Sequence, residues 1–136
     1  ESAAIDDLTV AQRHVRALQE MGFEICLDDF GAGAASFAYL RQLSVNVVKI
    51  DGSYVRELTS SGRDDAMIRH LVGLCRELGV ATVAEMVETS AVETILRQAG
   101  VDYAQGWLYG QPASEPTAPA KTARNGRRMG AVEQWG

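Results

Sequence analysis

The sequence predicts an α/β fold of parallel strands joined by helices, and three observations carry that reading. Four short apolar runs recur along the chain, at 23–27, 45–50, 80–84 and 101–105. The segments between them space their apolar residues with helical periodicity. The connections are short, which is the pattern of right-handed strand–helix–strand units.

Each element has its own local signal. Ile5 to Met21 places apolar residues at Ile5, Leu8, Val15 and Leu18 among charges, and Gly22 follows where a helix would stop. Phe23 to Leu27 predicts the first strand, and Ser36 to Leu43 a short helix. Val45 to Ile50 is almost continuously apolar, as expected of a strand covered on both faces of a parallel sheet. Asp64 to Leu78 predicts a longer amphipathic helix, with Asp64 and Asp65 near its positive end and Gly79 at its stop. Val80 to Ala84 is the third strand. Ser90 is the predicted N-cap of a helix reaching Ala99, Gly100 ends it, and Val101 to Gln105 is the last strand. Beyond Pro112, the run ASEPTAPAKTARNG reads as a flexible, Pro/Ala-rich basic tail over 113–136, in which Trp135 is the residue able to dock.

Composition excludes several classes. With 46% hydrophobic and 23% charged residues the chain reads as an ordinary globular domain. Cys26 and Cys75 have neither metal-ligand spacing nor the density of a disulfide scaffold, so both are expected to be reduced core thiols of a cytoplasmic protein. His14 and His70 lack partners at ligand spacing. The tail from Ala113 carries four basic residues against Glu115 and Glu133, a net of +2, which leaves −7 on the remainder of the formal −5. An acidic body argues against duplex nucleic acid as a partner, because that interaction rests on clustered Lys and Arg. No apolar run is long enough to span a bilayer. The chain starts at Glu1 without Met or a leader, and is expected to be an internal piece of a larger protein in which any membrane anchor lies upstream.

Chemistry concentrates at the ends of the strands. In FEICLDDFGAG an apolar run ends in Asp28 and Asp29, followed by Gly31 and Gly33. Adjacent carboxylates at a strand's end suit hard divalent cations, which take oxygen ligands and can be bridged by them. Alternation puts Val47, Lys49 and Asp51 on one side of their strand, with Val48 and Ile50 toward the helices. Lys49, Asp51, Glu85 and Gln105 are thereby expected on one rim with Asp28 and Asp29. A structural salt-bridge network is the alternative, although carboxylates that crowded repel one another unless cations are present.

Four segments in order carry a resemblance: LDDFGAG at 27–33, VKID at 48–51, AEMVET at 84–89 and QGWLYGQP at 105–112. Together they resemble the later motifs of the EAL domain, the family of bacterial cyclic-di-GMP phosphodiesterases and cyclic-di-GMP receptors. The resemblance spans residues 1–112 and implies a TIM-like (β/α)8 barrel. Such a barrel takes roughly 250 residues, so the chain is expected to cover about its last four strand–helix units. The Glu-Ala-Leu signature, a metal-binding Asn and a further Glu are expected before residue 1, and the chain alone is expected to be inactive.

The resemblance also implies roles. Asp28, Asp29 and Glu85 correspond to metal ligands for two Mg2+ or Mn2+ ions, and Lys49 to a catalytic Lys that orients or deprotonates the attacking water. Asp51 corresponds to a residue supporting the metal–water network, and Gln105 to one lining the nucleotide site. Glu1 corresponds to a Glu that anchors the loop after Asp29, and Glu88 to the second Glu of the AEGVE motif. The implied reaction is hydrolysis of cyclic-di-GMP to the linear dinucleotide pGpG, and the loop after Asp29 is the expected homodimer contact. This chain departs from the family pattern at Ala32, Ala34, Asn46, Gly52 and Met86, where Thr, an aromatic residue, Asp, a basic residue and Gly are usual. Two readings follow: an active phosphodiesterase, or a degenerate domain that binds cyclic-di-GMP or a protein without cleavage.

Overall fold

The computed structural model describes residues 2–31, 36–56, 58, 62–111 and 132–134. In chain order the elements are α1 (Ser2–Glu20), β1 (Cys26–Phe30), α2 (Ser36–Gln42), β2 (Val47–Ile50), α3 (Gly52–Arg56), α4 (Gly62–Glu77), β3 (Ala81–Ala84), α5 (Ser90–Ala99), β4 (Tyr103–Gln105) and β5 (Val132–Gln134). They form one sheet in the order β1-β2-β3-β4-β5. The first four strands are parallel, and β5 runs antiparallel to β4.

Helices α3, α4 and α5 cover one face of the sheet. Ile50 and Ala84 from the strands, Val55 from α3, Ile68 and Val72 from α4 and Val92 and Leu96 from α5 share one buried cluster. Val48 joins Phe30, Leu40, Cys75 and Val80 in a second, and Leu71 packs against both. Val48 and Ile50 therefore face the helices, as alternation requires. Burying each Ile, Leu or Val of these clusters contributes roughly 1.5–3 kcal/mol.

Boundaries differ from the sequence reading where side chains divert the backbone. The first strand pairs over Cys26–Phe30, not Phe23–Leu27, because ladder contact with β2 begins only where the Ile25 carbonyl accepts from Asn46 and Val47 at 2.8 and 3.1 Å. The Asn46 side chain then accepts from the Ile25 amide at 2.8 Å, keeping Val45 and Asn46 out of β2. Thr89, not Ser90, caps α5: its hydroxyl accepts from the Val92 amide, and Ser90 is the first helical residue. Gly100 closes that helix in a left-handed conformation, φ 82°, with its amide on the last turn. Cys75 is buried, whereas Cys26 is exposed, because it lies on the face of the sheet opposite the helices.

Helix α3 lay outside the sequence reading, as did two further features. The expected tail contributes β5, which covers the β4 edge by pairing Val132 with Gln105, Glu133 with Ala104 and Gln134 with Tyr103. At the end of the sheet away from Asp28, the Asp102 carboxylate accepts from both the amide and the hydroxyl of Thr82 at 2.8 Å, and the Asp102 amide donates to that hydroxyl at 3.2 Å. Thr82 is 1% exposed, so removing the carboxylate strands two buried donors. Asp102→Ala should cost about 1–3 kcal/mol in urea unfolding, and adding Thr82→Val should recover part of it. Equal losses in single and double variants would contradict the clamp.

Candidate functional site

Asp28 and Asp29 reach the same rim through a local break in the strand. In regular alternation two neighbours point to opposite faces. Here Cys26 and Leu27 pair with Val47 and Val48, but the next pair is Phe30 with Ile50, so Asp28 and Asp29 together oppose Lys49. Such a bulge re-aims side chains. Asp29 takes up the distortion at φ 51°, a left-handed conformation that Asp tolerates better than most residues.

Lys49 joins the strands. Its ammonium donates to Asp28 Oδ1 at 2.9 Å and to Glu85 Oε1, across β1, β2 and the end of β3. The Lys49 and Glu85 side chains are 24% and 17% exposed, whereas Asp28 is 62% exposed. Burial pulls the Lys49 pKa down, but the hydrogen bonds and charge of Glu85 and Asp28 outweigh it and drive the net shift upward. Asp28 is held below the usual carboxylate range, first by Lys49 and then by the Asp29 amide, which donates to it at 3.1 Å. One carboxylate oxygen each from Asp28, Asp29 and Glu85 lies within 4.8 Å of the others. Three carboxylates and one ammonium leave a formal charge of −2, and this all-oxygen set fits a hard divalent cation.

The other expected residues lie around this group. Asp51 follows β2 and caps α3, accepting from the Ser53 amide at 2.9 Å and from the Ser53 hydroxyl, which lowers its pKa. Gln105 ends β4, one residue past the Ala84–Ala104 pair and so at the same end of the sheet as Glu85, with its side chain exposed. Glu88 is exposed on the segment between β3 and α5, outside the three-carboxylate group. Glu1, Ala32, Gly33 and Ala34 lie outside the described residues.

Tyr54 was not singled out by sequence. Its hydroxyl donates to the Gly31 carbonyl at 3.0 Å and its ring lies where a Gly31 side chain would project, with Cζ 3.1 Å from that position. The aromatic contact holding the start of the post-Asp29 loop thus comes from α3. No spacing rule connects the two, because the contact crosses from β1 to the helix after β2.

A profile of the EAL domain matches residues 1–112. The chain belongs to the EAL domain family. It is 41% identical over 112 residues to the cyclic di-GMP phosphodiesterase PdeB of Shewanella oneidensis, covering 82% of this chain and 13% of that protein. It superposes on the cyclic-di-GMP complex of the PaMucR phosphodiesterase with a TM-score of 0.72 at 37% identity, over 80% of this chain and 44% of that one. The manganese and cyclic-di-GMP complex of Klebsiella pneumoniae BlrP1 gives 0.70 at 33% identity, over 74% and 26%. The chain thus spans less than half of each of these relatives. Its fold class is that of this TIM-like barrel family, and its parallel sheet forms part of such a barrel. Among the described residues no helix is long and apolar enough to cross a membrane.

Proposed function

We propose that this EAL domain takes part in metal-dependent hydrolysis of cyclic-di-GMP to pGpG, with Asp28, Asp29 and Glu85 as ligands for Mg2+ or Mn2+. The observation that carries the reading is the convergence of those three carboxylates to within 4.8 Å around Lys49. Relatives named as cyclic-di-GMP phosphodiesterases and a relative holding manganese with cyclic-di-GMP support it. Divalent ions bound there would supply Lewis acidity and an acidified water.

The chain's own residues prepare that chemistry. Lys49, charged through the neutral range, serves as a donor and as positive charge beside the phosphodiester rather than as a base. Asp51 holds the turn into α3 next to the rim and keeps one oxygen for bound water. Gln105 offers an exposed amide to the nucleotide, Glu88 lies on the segment after Glu85, and the loop after Asp29 is the proposed homodimer contact.

Asp29→Asn in the complete domain separates a metal site from a salt-bridge network. The amide tolerates the left-handed backbone, and Asp29 lies outside the ion pairs that Lys49 makes with Asp28 and Glu85. Melting without metal should be unchanged or slightly higher, since like-charge repulsion falls. The stabilisation by Mg2+ or Mn2+, about 2.7 kcal/mol for an ion at 100 times its Kd, should shrink sharply, and hydrolysis should be lost. A large loss of metal-free stability with an unchanged response to metal would refute the assignment.

A further inference from the structure

Met86 occupies a backbone conformation that its side chain does not favour. At φ 54° it lies in the left-handed region, which disfavours a residue other than Gly unless a short polar side chain compensates. Asp29 has such a side chain and Met86 does not. Both residues directly follow a carboxylate bound by Lys49, Asp28 in one case and Glu85 in the other. The conformation that turns the chain after each partner of Lys49 is thus self-supporting at Asp29 and must be imposed at Met86.

The imposing contacts are visible on both sides. Upstream, the Glu85 amide donates to the Ile50 carbonyl at 3.3 Å; downstream, the Val87 amide donates to the Gln105 carbonyl at 3.0 Å. The Met86 side chain lies over Gly52, the first residue of α3. A β-carbon on Gly52 would lie 2.6 Å from Met86 Cγ and 2.9 Å from Met86 Cβ, and closer still to its sulfur. Gly52 leaves the space that Met86 fills.

We propose that Met86, docked on Gly52, is a positioning residue for Glu85: it ties the end of β3 to the start of α3 and so fixes the Glu85 carboxylate against Lys49 and the neighbouring Asp28 and Asp29. This rests on the metal role proposed for Glu85. Met86→Gly removes both the strain and the tether, so the backbone after Glu85 gains freedom while little packing is lost from a residue that is 46% exposed.

The test uses the complete domain, Mn2+ binding followed by the electron paramagnetic resonance of the bound ion, and thermal melting without metal. Met86→Gly should raise the Mn2+ Kd by about tenfold, as loss of a residue supporting a ligand does, with a metal-free Tm within about 2 °C of wild type. Met86→Leu, which restores the bulk, should recover most of the affinity. Gly52→Ala should lower the metal-free Tm by about 3–5 °C in the wild type, yet barely change it in the Met86→Gly background, where no side chain stands in its way. Wild-type Mn2+ binding that Met86→Gly leaves unchanged, or an equal Gly52→Ala effect in both backgrounds, overturns the positioning role alone. Failure of the wild type to bind Mn2+ overturns the metal reading and this inference with it.

Discussion

Gly106→Ala should cost the chain about 2–4 kcal/mol, among the largest effects of any single methyl group added to it. A β-carbon at Gly106 would lie 2.7 Å from the Val87 carbonyl carbon, and closer to the Val87 oxygen and nitrogen. These are backbone atoms, and they are tied on both sides: the Val87 amide donates to Gln105 at 3.0 Å and the Val87 carbonyl accepts from Leu108 at 3.1 Å. Relief of the clash must therefore break a hydrogen bond or shift the segment that carries Glu85 and Glu88. Gly73→Ala is the matched control, because Gly73 lies inside α4 with nothing within 4 Å of the added carbon. Ala there should stabilise by about 0.5–1 kcal/mol through its better helix propensity. Urea midpoints of the two variants should move in opposite directions, and a Gly106→Ala midpoint equal to wild type would remove the close approach from the account.

The contrast between these glycines shows which parts of the molecule were legible in the sequence. Strand–helix alternation was legible because the helix faces of Val48, Ile50, Ile68, Val72 and Leu96 repeat with the right periods. The motif residues Asp28, Asp29, Lys49 and Glu85 were legible as a group for a similar reason, since each ends or interrupts an apolar run. What periodicity cannot carry is a contact between separate segments. The bulge that turns Asp28 and Asp29 onto one rim, the Thr82–Asp102 clamp, Tyr54 over Gly31 and Met86 over Gly52 all join residues about 20 or more apart, except the bulge itself, which depends on the register with β2. The β5 strand was illegible for a further reason: three residues of an otherwise polar tail gain their structure from the free edge of β4, not from their own composition.

Lys49→Met should destabilise the metal-free protein and strengthen its response to divalent ions. The Lys49–Asp28 contact contributes little, at most about 1 kcal/mol, because Asp28 is largely in solvent. The Glu85 contact is better shielded on both sides, and its loss leaves a half-buried carboxylate unpaired, so the total cost is about 2 kcal/mol at neutral pH. The pH dependence has a definite sign. Asp28 titrates lower when folded, so its contribution is complete above the ordinary carboxylate value near 4 and fades as pH falls through the folded value. Lys49 titrates higher when folded, so its contribution is complete below the ordinary value near 10.4 and is lost as pH rises through the folded one. The stability difference between wild type and Lys49→Met should therefore be flat from about pH 5 to 9 and shrink at both extremes. Without the ammonium, Asp28, Asp29 and Glu85 carry a formal −3 instead of −2, so Mn2+ should raise the Tm of Lys49→Met by more than that of wild type. Under the proposed role of Lys49, hydrolysis by the complete domain should nonetheless fall to background, since added metal affinity does not replace a positive charge and donor at the phosphodiester. A Lys49→Met protein as stable as wild type without metal and no more responsive to Mn2+ would mean that the ammonium and the metal ions do not share these carboxylates.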